Sequence, residues 1–175
     1  MAIFNTRNFA IEAAMKTLGP LARSNLFLFE INQIPGGGSP EDIVFAAESA
    51  SVPKVSNETQ EIPWMNGIYK MPGVSKYDTM EVNMRISELN GMKVYDTIEY
   101  WYKLIYNPET GVQEPPASCM VDGTVSLLNY QGEIKKKWKL VGLFPTNFGG
   151  TALSRDNAEK QVMLVTFAYT YALRA

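Results

Sequence analysis

The chain has 175 residues, 46% of them apolar and 19% charged, with a net charge of −2, which is the profile of one folded domain with a real core and not of a disordered or polycationic protein. It contains no histidine and a single cysteine, Cys119. That excludes a disulfide framework, a Cys/His zinc site and any catalytic unit built on histidine.

Residues 5–18 read as a short helix, capped by Asn5 or Thr6 and closed by Gly19-Pro20. Phe9 and Ala13 give it a weak apolar face, so residues 1–20 form a candidate N-terminal extension of a single domain spanning 1–175. Arg7, Glu12 and Lys16 interrupt any apolar stretch there, so the segment does not read as a signal peptide, and no apolar run approaches the roughly 20 residues of a membrane span. Residues 26–31 (LFLFEI) form a strand, "PGGGSPED" a loop, and 43–47 (IVFAA) a return to extended chain.

"SVPKVSNETQEIPW" is proline-flanked and suits an edge strand or an extended arm. A short extended piece, 67–73, follows it. Residues 79–86 (TMEVNMRI) alternate cleanly, with Met80, Val82, Met84 and Ile86 on one face. Residues 92–106 form an amphipathic helix: Val94, Ile98, Trp101 and Ile105 share a face, with Lys93, Asp96, Glu99 and Lys103 opposite. Asn107-Pro108 stops it.

Three strands end the chain: 120–130, 133–144 and 161–173. The first two are joined by a two-residue Gln131-Gly132 turn. The third is apolar on both faces, which predicts cover on both sides. Pro145 ends the second strand, Gly142 marks a close approach or a bulge, and Asn147 with Gly149-Gly150 supplies turn geometry. The order of elements predicts an α+β, mainly β domain: two packed antiparallel sheets, sandwich- or barrel-like, one flanking amphipathic helix and a short N-terminal helix.

No constellation carries chemistry. Lys135, Lys137 and Lys139 share a strand face and could meet an acidic partner, although a solvated strand face is the favoured reading. Lys136 falls among the apolar set, at a strand end or an interface. Gly36-Gly37-Gly38 lacks the P-loop lysine and the dinucleotide pattern, and reads as a flexible loop. Tyr95, Tyr100, Trp101, Tyr102 and Tyr106 crowd one helix, as core, subunit contact or a sugar-stacking platform. Asp156 and Glu159, near Arg155, occupy a polar loop and do not form an acid/base pair. Cys119 reads as a small residue on a strand. No catalytic, cofactor-binding or metal-binding residue is expected.

Several stretches, in order, resemble the tail tube proteins of contractile-tailed bacteriophages. "ARSNLFLFEI" resembles that family's "RPNLF-x-x-EI" strand. "FAAESASVPKVSNETQEIPWMNGIYKMPG" resembles its proline turn and following run, with Pro63, Asn66 and Gly73 at altered spacing. "YDTMEVNMRI" resembles the strand before its helix, and "KKWKLVGLFPTNFGGTALSRDNAEKQVMLVTFAYTY" its most recognisable end. Within that end, Gly142 to Asn147 is the most specific piece. The N-terminal helix and "YNPETGVQEPPAS" depart from the family pattern.

The resemblance implies a structural virion protein without catalysis or cofactor. It implies six-membered rings stacked into an inner tube, with sheath, baseplate and tail terminator proteins as partners. Genomic DNA would pass through the lumen without sequence-specific binding. The protein would be made in the bacterial host cytoplasm. Two alternatives stay open: the inner tube of an extracellular or type VI contractile injection system carrying protein effectors, and, more distantly, a β-sandwich carbohydrate-binding module.

Overall fold

The computed structural model describes residues 25–85, 92–150 and 161–175. The expected N-terminal helix, Ile86 and the Arg155, Asp156 and Glu159 loop lie outside them. Nine strands and three short or medium helices make up the described chain.

β1 (Phe27–Ile31) pairs antiparallel with β6 (Val121–Leu128), placing Phe29 opposite Val125 with both buried. β6 pairs with the first half of β7 (Ile134–Gly150), and β9 (Tyr171–Arg174) lies along the other side of that half. The second half of β7 pairs with β8 (Val162–Ala168), β8 with β5 (Met80–Arg85), and β5 with β2 (Ala47–Ala50). Two antiparallel sheets are therefore joined through one shared strand, in the order β1-β6-β7-β8-β5-β2. This is the mainly β fold expected.

Period-two alternation decides which side chains meet between the sheets. On β5, Met80, Val82 and Met84 are buried and face Phe167, Val165 and Met163 of β8 in register. The Phe29 ring meets Phe167 at 5.8 Å, and so joins the two sheets. The amphipathic helix α2 (Lys93–Ile105) closes one flank: Val94, Ile98 and Trp101 are buried, and Trp101 also meets Phe167 at 5.8 Å. The Trp101 Nε1–H donates to the Cys119 carbonyl at 2.7 Å, satisfying its one polar atom. Glu99 and Lys103, an i,i+4 pair at 2.8 Å, lie on the opposite face.

The structure corrects five local expectations. Residues 43–46 are helical, not extended, within α1 (Pro40–Ala46). Pro40 occupies the first turn with Glu41 and Asp42 beside the positive helix end, and Ile43 and Ala46 bury at i,i+3. The expected strand at Cys119 is a single turn, α3 (Pro116–Cys119), with the thiol buried and its pKa pushed up by that burial. The β6–β7 connection is longer than two residues. Residues 129–133 form it, and the Asn129 carboxamide oxygen accepts from the Gln131 and Glu133 amides at 3.0 and 2.8 Å.

The triglycine is a packing device as well as a loop. A Cβ on Gly36, whose φ is +91°, would overlap the Tyr100 ring, and one on Gly38 would meet the Thr97 side chain, so small residues let the segment lie against α2.

The fifth correction concerns Pro145, which does not end β7. The ladder runs on to Gly150 through a bulge that leaves Thr146 extra, between Pro145↔Phe167 and Asn147↔Thr166. Pro145 also lies beyond the last β6 pairing, at Leu143. A bulge and an unpaired flank are the settings in which a strand tolerates a missing donor. Gly142 is a second bulge, as its sequence position suggested: β7 carries one extra residue between the Gly123↔Leu140 and Val121↔Leu143 pairs, and Gly142 adopts φ +69°.

Candidate assembly surface

Among the described residues β3 (Val55–Trp64) and β4 (Gly67–Tyr77) pair only with each other, as a hairpin exposed along nearly its whole length. It begins as the expected extended arm, and the expected short piece at 67–73 is part of its eleven-residue return strand. The base is fastened to the body through Tyr169 and closed by an ion pair between its own two ends. Tyr77 meets Tyr169 edge-on at 5.9 Å, the Tyr169 hydroxyl donates to the Lys54 carbonyl at 3.4 Å, and Lys54 pairs with Asp78 at 3.5 Å. Burial pushes the Tyr169 phenol pKa up.

Register divides the hairpin into two faces. Ile62, Trp64, Tyr69 and Met71 share one, all exposed. On the other, Glu61 and Lys70 pair at 3.0 Å, and nearer the base Glu58 pairs with Lys76. An isolated two-stranded ribbon is marginal in water, and a contiguous exposed apolar face marks a contact surface. The hairpin is therefore built to be covered.

The lysine-rich stretch is an ordinary polar strand face. Lys135 bonds Glu133 at 3.0 Å and Lys139 bonds Asp122 at 2.9 Å, so two of the four ammonium groups already have carboxylate partners. The Lys139 hydrogen bond holds the Asp122 carboxyl below its usual range against burial, aided by the Gly142 amide, which donates at 3.4 Å. The same contact raises Lys139. Lys135, and then Asn129, lower Glu133. Lys136 is exposed at the outer end of β7 beside the equally exposed Ile134, as expected of a strand end.

The tyrosine-rich helix offers no platform centred on Trp101, which is fully buried. Tyr95 and Tyr102 pack edge-on against Phe148 at 5.8 and 5.2 Å, leaving Tyr100 and Tyr106 half exposed. The last strand pair is covered on one side only: Met163, Val165 and Phe167 are buried, while Leu164 and Leu173 remain exposed. Among the described residues no group of three or more acidic, cysteine or histidine side chains could hold a metal ion, and no helix is long and apolar enough to cross a membrane. The hairpin missed by strand-by-strand reading had a signal in the sequence: two alternating runs around Asn66-Gly67.

The family model described as T4-like virus tail tube protein gp19 matches residues 23–172. No curated protein sequence matches the chain. Among solved structures, the sheath-tube complex of an extracellular contractile injection system, PVC, in its extended state contains a chain with TM-score 0.64 and 20% identity, covering 93% of this chain and 96% of that one. A chain of the anti-feeding prophage baseplate gives 0.67 and 12%, covering 90% and 97%. A type six secretion system protein gives 0.51 and 6%, covering 85% and 81%. At these identities the likeness is one of fold.

Proposed function

The chain belongs to the family of T4-like virus tail tube proteins, a structural tube family of contractile, phage-like systems, and on that premise we propose that it forms six-membered rings that stack into the inner tube of a contractile phage tail. The observation that carries this reading is the family match, which spans both sheets, the hairpin and α2. In it, the chain is not an enzyme: it supplies wall to a conduit through which DNA leaves the particle. It is one domain over 1–175 with an N-terminal extension over 1–20, made in the host cytoplasm and carried in the virion.

Physical features support assembly. Among the described residues the sheet path ends at β1 and β2, and a strand at a sheet edge is a template for pairing with a neighbour. The exposed hairpin adds a second contact that a ring-to-ring arrangement would bury. A closed ring removes edges within a layer, and axial stacking is an open, repeating contact. Sheath, baseplate and terminator proteins are the further partners. Passage of DNA disfavours a lysine-lined lumen, because each phosphate contact retards a moving polyanion. Lys135, Lys137 and Lys139 do not all face the channel in this reading.

Fold likeness to tubes of extracellular injection systems favours one second reading, an inner tube that carries protein. Electron microscopy of the purified chain tests the common part: hollow tubes of uniform width with six-fold rings are expected, and monodisperse protomers up to millimolar concentration would overturn it. Nuclease-sensitive nucleic acid inside particles that contain the tube separates the phage reading from the injection-system reading.

A further inference from the structure

The tip of the β3–β4 hairpin presents an asparagine next to a glycine. Trp64 pairs with Gly67, so Met65 and Asn66 are the two turn residues. Asn66 is exposed, and it is the one asparagine among the described residues that a glycine follows. The side chains of Asn57, Asn83, Asn107 and Asn129 are held by hydrogen bonds, whereas among the described residues that of Asn66 has no such partner. Beyond its chain neighbours, a Cβ on Gly67 would meet only the Trp64 carbonyl oxygen, at 4.0 Å, so the residue is open to approach. Met65 sits at φ +46°, in the left-handed region that disfavours an L side chain, and this weakens the closing rung of the ladder. An isolated two-stranded ribbon is marginal, and its end is where local opening costs least.

We propose that Asn66-Gly67 is a self-modification site of the unassembled protomer, at which the Gly67 nitrogen closes on the Asn66 carboxamide and converts the asparagine to aspartate and isoaspartate. Hydroxide takes the Gly67 amide proton, and the nitrogen attacks the Asn66 Cγ. The new N–Cγ bond closes a five-membered imide, the Cγ–Nδ2 bond breaks, and Nδ2 leaves as ammonia with a proton from water. Water then adds to either ring carbonyl: opening on the side-chain side restores the backbone as aspartate, and opening on the backbone side gives isoaspartate. A water is consumed, an ammonia is released, and nothing is oxidised or reduced. Glycine matters because it leaves the nitrogen unshielded and the backbone free to rotate into the ring. Isoaspartate adds a backbone carbon to a two-residue turn and sets a carboxylate beside the exposed Trp64 and Met65, so the Trp64–Gly67 rung is lost.

The test incubates purified full-length protomer, dilute enough to stay unassembled, at neutral and mildly alkaline pH, and follows each asparagine by peptide mapping and by methylation with an isoaspartate methyltransferase. The peptide carrying Asn66 should acquire isoaspartate sooner than those carrying Asn57 or Asn147. Its rate should rise roughly tenfold per pH unit, because the deprotonated fraction of an amide nitrogen follows hydroxide. Gly67→Ala fits the open space and should slow the conversion several-fold. Amides of the hairpin should exchange faster in the isoaspartate form than in fresh protein. Aspartate without isoaspartate, a rate indifferent to pH, an unchanged rate in Gly67→Ala, or an Asn66 peptide no faster than that of Asn57 would each overturn the site. The wild-type pH profile decides even if Gly67→Ala loosens the hairpin. All of these readouts come from the protomer, so their failure leaves the tube reading standing.

Discussion

Gly142 is the residue at which β7 passes from one sheet to the other, and replacing it by alanine tests that geometry directly. Its φ is +69°, and a Cβ built there lies 2.6 Å from the Thr170 Oγ1 and 3.5 Å from the Thr170 Cβ. The left-handed conformation costs an alanine about 1–2 kcal/mol. The contact with Thr170 must also be relieved, and moving a β-branched side chain off its rotamer adds about 0.5–1.5 kcal/mol. Alanine recovers roughly 0.5–1 kcal/mol by restricting the unfolded chain. The net expectation for Gly142→Ala is a loss of about 1–2.5 kcal/mol. Urea unfolding followed by fluorescence reads it as a lower midpoint at unchanged slope. Thr170→Ala in the same background should return about 0.5–1.5 kcal/mol, the contact's share, and leave the conformational share in place. A Gly142→Ala variant within 0.3 kcal/mol of wild type would refute the bulge as described.

Two further substitutions probe the helix flank and the bulge clamp. Trp101→Phe deletes the bond to the Cys119 carbonyl and opens space beside Phe167, so a loss of about 2 kcal/mol in the same urea assay is expected. Asp122→Asn keeps an acceptor for the Gly142 amide but loses the ion pair with Lys139. The Asp122 carboxyl has a lowered folded pKa, so its contribution is present above the unfolded carboxylate value near 4 and is lost as pH falls through the lower folded value. The variant should therefore be less stable than wild type at pH 7. The gap should narrow below about pH 3, as urea midpoints at three pH values would show.

What could be read in the sequence was what repeats along it. The alternation of Met80, Val82 and Met84, and the i, i+4, i+7 spacing of Val94, Ile98 and Trp101, placed β5 and α2 and their buried faces, because burial on one side imposes those periods. The glycine at 142 was legible because few residues can occupy a bulge at positive φ. Residues 43–46 were not, since a short apolar run carries no period, and Ser39-Pro40 with two acidic residues was the only helix signal. Pro145 misled because a missing donor breaks a central ladder but not a bulged, one-sided one. The apex of the assembly surface, Met65, was invisible, because its strain depends on a register one residue away from the turn that local preference favours.

The two halves of the structure answer different demands. In the body, one strand belongs to both sheets, and the shared strand is bent by bulges at Gly142 and Thr146 instead of being cut by a loop. Phe167 touches both Phe29 of the first sheet and Trp101 of α2, so neither sheet shifts without disturbing packed rings. The described hairpin is braced to the body at its base, where Tyr77 and the Lys54 carbonyl meet Tyr169. A wall element must keep its shape under axial load, whereas the part that reaches a neighbour must settle onto a surface it does not carry itself. Weakening the base contact by Tyr169→Phe separates these demands. The hydroxyl bond to the Lys54 carbonyl is long and partly buried, so global unfolding should shift by less than about 1 kcal/mol. Amides of residues 55–77 should nevertheless exchange faster in the protomer and return to wild-type protection once tubes form. Unchanged exchange in the protomer would show that the base is held by ring packing alone and that the hydroxyl takes no part in aiming the arm.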